Sequence, residues 1–293
     1  MAKFILSAFA DEAGDSLAEQ IAALHRNGIS CIEPRAIDKK NVSYMSESEL
    51  RAIRRELDAE GIRTSSLGSP IGKYPIDEPF EKHLEDFKRA ISAAHLLGTR
   101  SIRMFSFFIP EGKRPADYRD EVISRLSVML DIADAEDIRL CHENEAKIYG
   151  EQPEDVRDLL RTLPRLGGIF DPANYVMENA DPALGLDITL PSLAYMHIKD
   201  ATAKEHMIVP AGEGDGGIPA ALQKIDAAVD RAVYLTAEPH LKVFSAYAEI
   251  DDRKLVNKYT FETATESFDF AVNALKELLR AGGFKENGQY WVK

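Results

Sequence analysis

Three stretches of this chain repeat one arrangement, a helical segment, a glycine and then a β-type run. They are Leu24-His25-Arg26-Asn27-Gly28-Ile29, Leu57-Asp58-Ala59-Glu60-Gly61-Ile62 and His95-Leu96-Leu97-Gly98-Thr99. Glycine just past a helix accepts the left-handed conformation that closes the last turn, so each stretch reads as a helix handing over to a strand. Strands are expected at 30–33, 63–67 and 101–105. A fourth copy runs through Ala135-Glu136-Asp137-Ile138 into 139–143, with Asp137 in the glycine's place. Residues 4–8 supply the strand before the first helix, and 168–171, 194–199 and 233–238 continue the series. Eight strands, each followed by helical material, is the arithmetic of a (β/α)8 barrel of the α/β class rather than an open sheet.

The helices have the right period. Leu17, Ile21 and Leu24 share a face, as do Phe80, Leu84, Phe87 and Ile91, then Val122, Leu126, Met129 and Ile132, then Phe268, Val272, Leu275 and Leu279. Ser46 with Glu49 forms a capping box, and Pro153 suits a first helical turn. No linker divides the 293 residues, so 1–293 reads as one barrel domain, with 284–293, which holds the only tryptophan, Trp291, as an accessory tail. That tail is expected to pack on the barrel or on a partner subunit of a homo-oligomer. The glycine-rich run 212–217 lacks the lysine and spacing of a phosphate loop and reads as a mobile loop after the seventh strand.

A formal charge of −13 disfavours nucleic acid and anionic membrane as partners. No apolar run approaches a bilayer span. The apolar stretch before Asp11 is too short for a signal peptide and reads as a first strand. Cys31 and Cys141 both fall in expected strands, which suits buried thiols in a reducing cytoplasm better than a disulfide.

Four strand ends carry the chemistry. Apolar runs stop at Glu143 in Cys141-His142-Glu143-Asn144-Glu145, at Asp171 in Phe170-Asp171-Pro172-Ala173-Asn174, at His197 in Met196-His197-Ile198-Lys199-Asp200 and at Glu238 in Ala237-Glu238-Pro239-His240. Barrels gather such positions on their catalytic face. Any one of these could be a solvated charge, but four on successive strands read as ligands for one divalent cation. Carboxylates so close would otherwise repel one another. Three carboxylates and an imidazole suit Mn²⁺, Mg²⁺ or Co²⁺, and are compatible with Zn²⁺. Around them, Glu33, Arg35, Arg103, Glu145, Asn174, Lys199 and His240 are candidate substrate contacts, with a Glu33–Arg35 ion pair as the competing reading for that pair. His25, His83 and His95 belong to outer helices, and His142 faces away from the barrel interior.

The order and spacing of "HENE", "FDPAN", "HIKDA" and "AEPH" resembles the sugar phosphate isomerase/epimerase group of xylose isomerase-like TIM barrels, over nearly the whole chain. By that resemblance one divalent metal sits on Glu143, Asp171, His197 and Glu238, and the two glutamates form an acid/base pair. A sugar, sugar phosphate or polyol would be isomerised or epimerised by proton transfer through a metal-stabilised enediolate. A lyase like inosose dehydratase is the alternative, and a non-catalytic carbohydrate-binding barrel a third reading. One position departs from the pattern. The epimerases commonly carry a histidine where this chain has Asn174, which can hydrogen-bond a hydroxyl but cannot titrate near neutral pH. Nuclease relatives need further histidines that Ser66, Gly68, Phe105 and Asn174 do not supply.

Overall fold

The computed structural model describes residues 1–242 and 259–293. Its centre is a ring of parallel strands: β1 (Lys3–Ala8), β2 (Cys31–Ile32), β3 (Arg63–Thr64), β4 (Ser101–Met104), β5 (Arg139–Glu143), β6 (Gly167–Phe170), β7 (Leu193–Ile198) and β8 (Ala232–Ala237). Parallel ladders run in the order β1-β8-β7-β6-β5-β4, with one register shift between β6 and β7 at Gly168/Ile169. β2 pairs with β3. The ring closes where Glu33 N–H donates to Ala8 O at 3.0 Å and Leu67 N–H donates to Ser101 O at 2.8 Å. This is the expected (β/α)8 barrel.

Strands β2 and β3 are shorter than the hydrophobic runs suggested. Pro34 follows Glu33 directly and has no N–H to extend the ladder. Past β3, Ser65 N–H reaches Ile32 O at 2.8 Å and Gly68 N–H reaches Pro34 O at 2.9 Å, while Leu67 bridges Ile102 in β4 on the other edge.

The repeated joins behave alike. Gly28, Gly61, Gly98 and the substituted Asp137 have φ of 59°, 69°, 76° and 52°. At each, the next amide bonds back across the helix end: Ile29 to Leu24, Ile62 to Leu57, Thr99 to Ala94 and Ile138 to Ala133, all within 3.0 Å. That is the bonding of a Schellman end, which needs one left-handed residue. Aspartate adopts that conformation more readily than most non-glycine residues. The Ser46–Glu49 capping box and Pro153 at the start of its helix are both present.

Alternation along the strands separates two environments. Leu140, Met196 and Ile198 face the helices and join the main core, whereas Cys141, Ile169 and Tyr195 pack inside the ring against Tyr234. One step further along, the same inward face presents Glu143, Asp171 and His197. Cys31 and Cys141 are free and buried.

At the other end of the ring, Lys285–Asn287 and Tyr290–Val292 form a hairpin, and Trp291 pairs with Phe4 of β1. Phe284 packs edge-on against Phe4 with ring centroids 5.1 Å apart. Among the described residues no helix is long and apolar enough to cross a membrane.

Candidate metal centre

Glu143 ends β5 and Asp171 follows β6, where it also caps the helix Pro172–Met177 by accepting from Asn174 N–H at 3.0 Å. His197 lies within β7, and Glu238 directly follows β8. One ligand atom from each of the four lies within 4.8 Å of the others, and all four side chains are buried. The focus is His197 Nδ1, which faces Glu143 Oε1 at 3.0 Å, Glu238 Oε2 at 3.1 Å and Asp171 Oδ2 at 3.9 Å.

The ring's other nitrogen, Nε2, lies 3.5 Å from Glu33 Oε2. Glu33 is itself held by the Tyr195 hydroxyl at 2.7 Å and Thr236 Oγ1 at 2.8 Å. Nε2 makes no hydrogen bond, so Glu33 stands behind the imidazole as a charge at ion-pair distance, and Nδ1 is the nitrogen turned toward the other carboxylates. The structure therefore sets Glu33 behind His197 rather than in the suggested pair with Arg35.

Buried cations offset part of this negative charge. Arg103 Nη1 lies 3.1 Å from Glu143 Oε2. Arg35 reaches Glu238 Oε1 at 3.2 Å, Asp11 Oδ2 at 2.9 Å and Glu12 Oε1 at 3.4 Å. Lys199 Nζ lies 2.9 Å from Asp171 Oδ2 and 3.8 Å from Glu238 Oε2. Both guanidinium groups lie over the Phe9 ring, at 4.3 and 4.7 Å, and Phe9 also packs edge-on to His197.

Protonation follows from these contacts. Burial alone would raise Glu143 and Glu238, but His197 and Arg103 hold the first below the usual carboxylate range, and Lys199 and His197 hold the second well below it. Burial and the neighbouring carboxylates push Asp171 up to about 7, against the pull of Lys199. His197 resists the lowering that burial brings, because Glu143 and Glu33 keep its imidazolium well above its ordinary value. Such a cluster is costly unless a cation compensates it.

The remaining sequence candidates take distinct places. Asn174 Nδ2 donates to Asn144 O at 2.8 Å and approaches Glu143 Oε1 at 3.4 Å. Glu145 accepts from Lys73 at 2.9 Å. Burial would raise it, yet Lys73 and Lys199 bring it down to about 2. His240, at a left-handed φ of 46°, donates its backbone N–H to Glu12 Oε2 at 2.7 Å, and its ring lies 3.7 Å from Glu238 Oε1. His142 faces away from the cluster and meets Ser106 Oγ at 2.9 Å.

The glycine-rich run is pinned rather than loose. Gly212, Gly214 and Gly216 all donate N–H to the Asp200 carboxylate, at 2.8, 3.2 and 2.9 Å. A Cβ on Gly214 would lie 2.3 Å from Asp200 Oδ1, so the close approach needs glycine there.

Sequence reasoning missed Asp11, Glu12, Lys73 and Tyr195. Asp11 and Glu12 follow a strand end just as Glu143 does, so the same signal was present at β1. Lys73 and Tyr195 gave none, because a loop lysine and an interior tyrosine have no pattern of their own.

The residues present fit a metal. Asp171 Oδ2 and Glu238 Oε2 are buried oxygens to which no well-aligned hydrogen bond runs, and what they face is cationic. The donor set is the hard, oxygen-rich kind that divalent ions of the magnesium and manganese type prefer.

With this geometry, the sequence comparison gives the class: the chain belongs to the xylose isomerase-like TIM barrel family, which matches residues 21–243. A comparison with curated proteins gives no match. Among solved structures, L-ribulose 3-epimerase is 16% identical with a TM-score of 0.73, covering 97% of this chain and 96% of that one. The probable 3-DHS dehydratase AsbF of Bacillus anthracis, involved in petrobactin synthesis, is 15% identical with a TM-score of 0.70, covering 94% and 99%. A xylose isomerase-like TIM barrel protein from Mycobacterium smegmatis, in complex with magnesium, is 17% identical with a TM-score of 0.65, covering 95% and 98%. At these identities the likeness shows the fold.

Proposed function

We propose that this protein is an enzyme that isomerises or epimerises a sugar, sugar phosphate or polyol by proton transfer, with one divalent cation held by Glu143, Asp171, His197 and Glu238. The observation that carries the reading is the convergence of three buried carboxylates, Glu143, Asp171 and Glu238, on His197 Nδ1. The similarity to an epimerase and to a magnesium complex supports it. A bound cation of this kind polarises a carbonyl and makes the neighbouring C–H more acidic.

The rest belongs to the chain. Glu143 and Glu238 are both held ionised, so either can accept a proton from substrate carbon. Arg103 and Arg35 fix their orientation, and Asn174 offers a hydroxyl contact beside Glu143. A hydride shift with two metals would need a further free carboxylate, and Asp200, the nearest candidate in sequence, already accepts three glycine amides and that of Ala201. Manganese, magnesium or cobalt is our reading of the cation. A cytoplasmic setting is our reading of the two free thiols.

Lys199 favours one second reading, a dehydratase. Its ammonium stays protonated against burial because Asp171 and Glu238 surround it, so it can give a proton to a departing hydroxide. Turnover of candidate ketoses in deuterated water, with Mn²⁺ supplied, tests both. Deuterium at the carbon next to the carbonyl with unchanged skeleton supports the isomerase, and a product lighter by one water supports the lyase. Conversion without solvent label at that carbon would argue for a hydride shift or for complete internal return of the proton, and would overturn proton exchange through two solvent-equilibrated carboxylates.

A further inference from the structure

One cavity beside the cluster shares Arg35 and Arg103 with it. It measures about 450 Å³, and its lining includes Arg35, Lys39, Lys40, Lys73 and Arg103, with no acidic residue among the described residues that line it. Each of these cations also meets a carboxylate outside the lining, but in a chain of net charge −13 the cavity wall itself presents only positive side chains. Arg35 and Arg103 form the wall that the cavity shares with the metal centre, because Arg35 touches Glu238 and Arg103 touches Glu143. A group seated in the cavity would therefore lie one side chain away from the candidate ligands.

The outer rim is a built element. Ala36–Ile37 pairs antiparallel with Lys40–Asn41 across a two-residue turn. Asp38 and Lys39 in that turn both take left-handed φ, 51° and 61°. Such turns match strand twist but normally recruit glycine or asparagine, so a lysine is held here at some conformational cost. Asp38 N–H is tied to Asp15 O at 2.8 Å, which anchors the turn to the body.

The two rim lysines are available to a ligand. Lys39 meets Asp15 at 3.4 Å and Lys40 meets Glu49 at 2.9 Å, with all four side chains well exposed. Exposed pairs of this kind contribute little and exchange partners readily. Deeper in, Arg103 Nε is a buried donor with no hydrogen-bond partner. A neutral sugar would offer these cations only hydroxyls. An oxyanion offers charge and several acceptors at once.

We propose that this cavity takes the anionic substituent of the substrate, a phosphate monoester or a carboxylate, while the hydroxyl-bearing end lies on Glu143, Asp171, His197 and Glu238. The placement of that second end rests on the function proposed above. The anion site itself is testable apart from it.

Inorganic phosphate and acetate are titrated calorimetrically into the metal-loaded full chain and into two variants, Lys39→Ala/Lys40→Ala and Lys39→Arg/Lys40→Arg. The alanine pair should weaken the preferred anion roughly five- to tenfold, as expected for two charge-assisted contacts at an exposed rim. The arginine pair should bind as the native chain does. Loss confined to phosphate assigns a phosphorylated substrate, and loss confined to acetate a carboxylate. Equal affinity of native chain and alanine pair for both anions overturns the site. Should a neutral ketose then turn over with KM unmoved by the alanine pair, the cavity proposal fails while the isomerase reading stands. Lysine-dependent anion binding in a chain that exchanges no carbon-bound proton fails the isomerase reading and keeps the anion site.

Discussion

The two halves of the ring make opposite use of the same catalytic face. Strands β5 to β8 pair along four to six residues each, with one register shift at Gly168/Ile169, and carry Glu143, Asp171, His197 and Glu238 at or next to their ends. Strands β2 and β3 are two residues each, and the face beside them is built from a hairpin and loops that present Arg35, Lys39, Lys40 and Lys73, with Arg103 added from β4. A metal centre needs its donors placed to within a few tenths of an ångström, and long parallel ladders give that rigidity. Binding a substrate's charge tolerates looser geometry, which irregular backbone can supply. The arginines join the halves, since each starts on the cationic side and ends on a glutamate of the acidic side.

The sharpest way to break this contrast is to remove ligands from the regular half. Asp171→Ala/His197→Ala should take metal content from about one ion per chain to near zero and abolish turnover. Elemental analysis after loading with Mn²⁺ checks it, and equal content in native and variant chains would end the assignment.

Next in size, Glu143→Gln and Glu238→Gln should each lower turnover by roughly 10²- to 10⁴-fold, the usual contribution of a general acid or base. Metal content is measured beside each rate, because glutamine keeps the shape and one oxygen donor. Near-normal turnover with metal bound would reduce that glutamate to a structural role.

Glu33 sits at the seam of the two halves, on β2's end but behind His197. Glu33→Gln should weaken metal binding by about 10- to 100-fold, the cost typical of losing a ligand's supporting carboxylate. Competition against a metal indicator reads this directly. Unchanged affinity would show that Tyr195 and Thr236, not the metal centre, are what Glu33 serves.

The smallest effect compares the packing behind each half. His83 lies under the irregular half, stacked 4.9 Å from Tyr74 and accepting Gly72 N–H at 3.1 Å. His142 lies behind β5. Burial lowers both to about 4 from an ordinary 6.5. The unfolded chain therefore takes up their protons first. The stability they contribute is complete above pH 6.5 and is lost as the pH falls toward 4. Between pH 7 and 5 each should cost about 2 kcal/mol, a few degrees in Tm. His83→Gln should show a shallower loss in thermal melts over that range, and an unaltered pH slope would remove His83 from the account.

Much of this was legible in the chain. The helix–glycine–strand repeat carried the barrel, because turn closure and apolar periodicity are local physics, and Asp137 showed that even the exception obeyed the same backbone requirement. The four ligand candidates were legible for a related reason. A strand that ends on a charged group declares itself within five residues, and the barrel rule then says where such ends meet.

What lay beyond reading was every relation between elements whose partners are set by closure of the ring. Glu33 reads in the sequence as a substrate contact or as a partner of Arg35, two residues away, but it is held by Tyr195 and Thr236, which are 162 and 203 residues distant in sequence. Nothing near Asp200 in the sequence shows that the glycine loop folds back onto it. Asp11 and Glu12 carried a strand-end signal that went unused, and their meeting with Arg35 and His240 could not be inferred from it. Sequence determined the elements and the inward or outward sense of each side chain, since both depend on neighbours a few positions away. Only the closed barrel decided which charges face one another, because electrostatic pairing is settled by distance in space, and ring closure brings together positions that chain order keeps far apart.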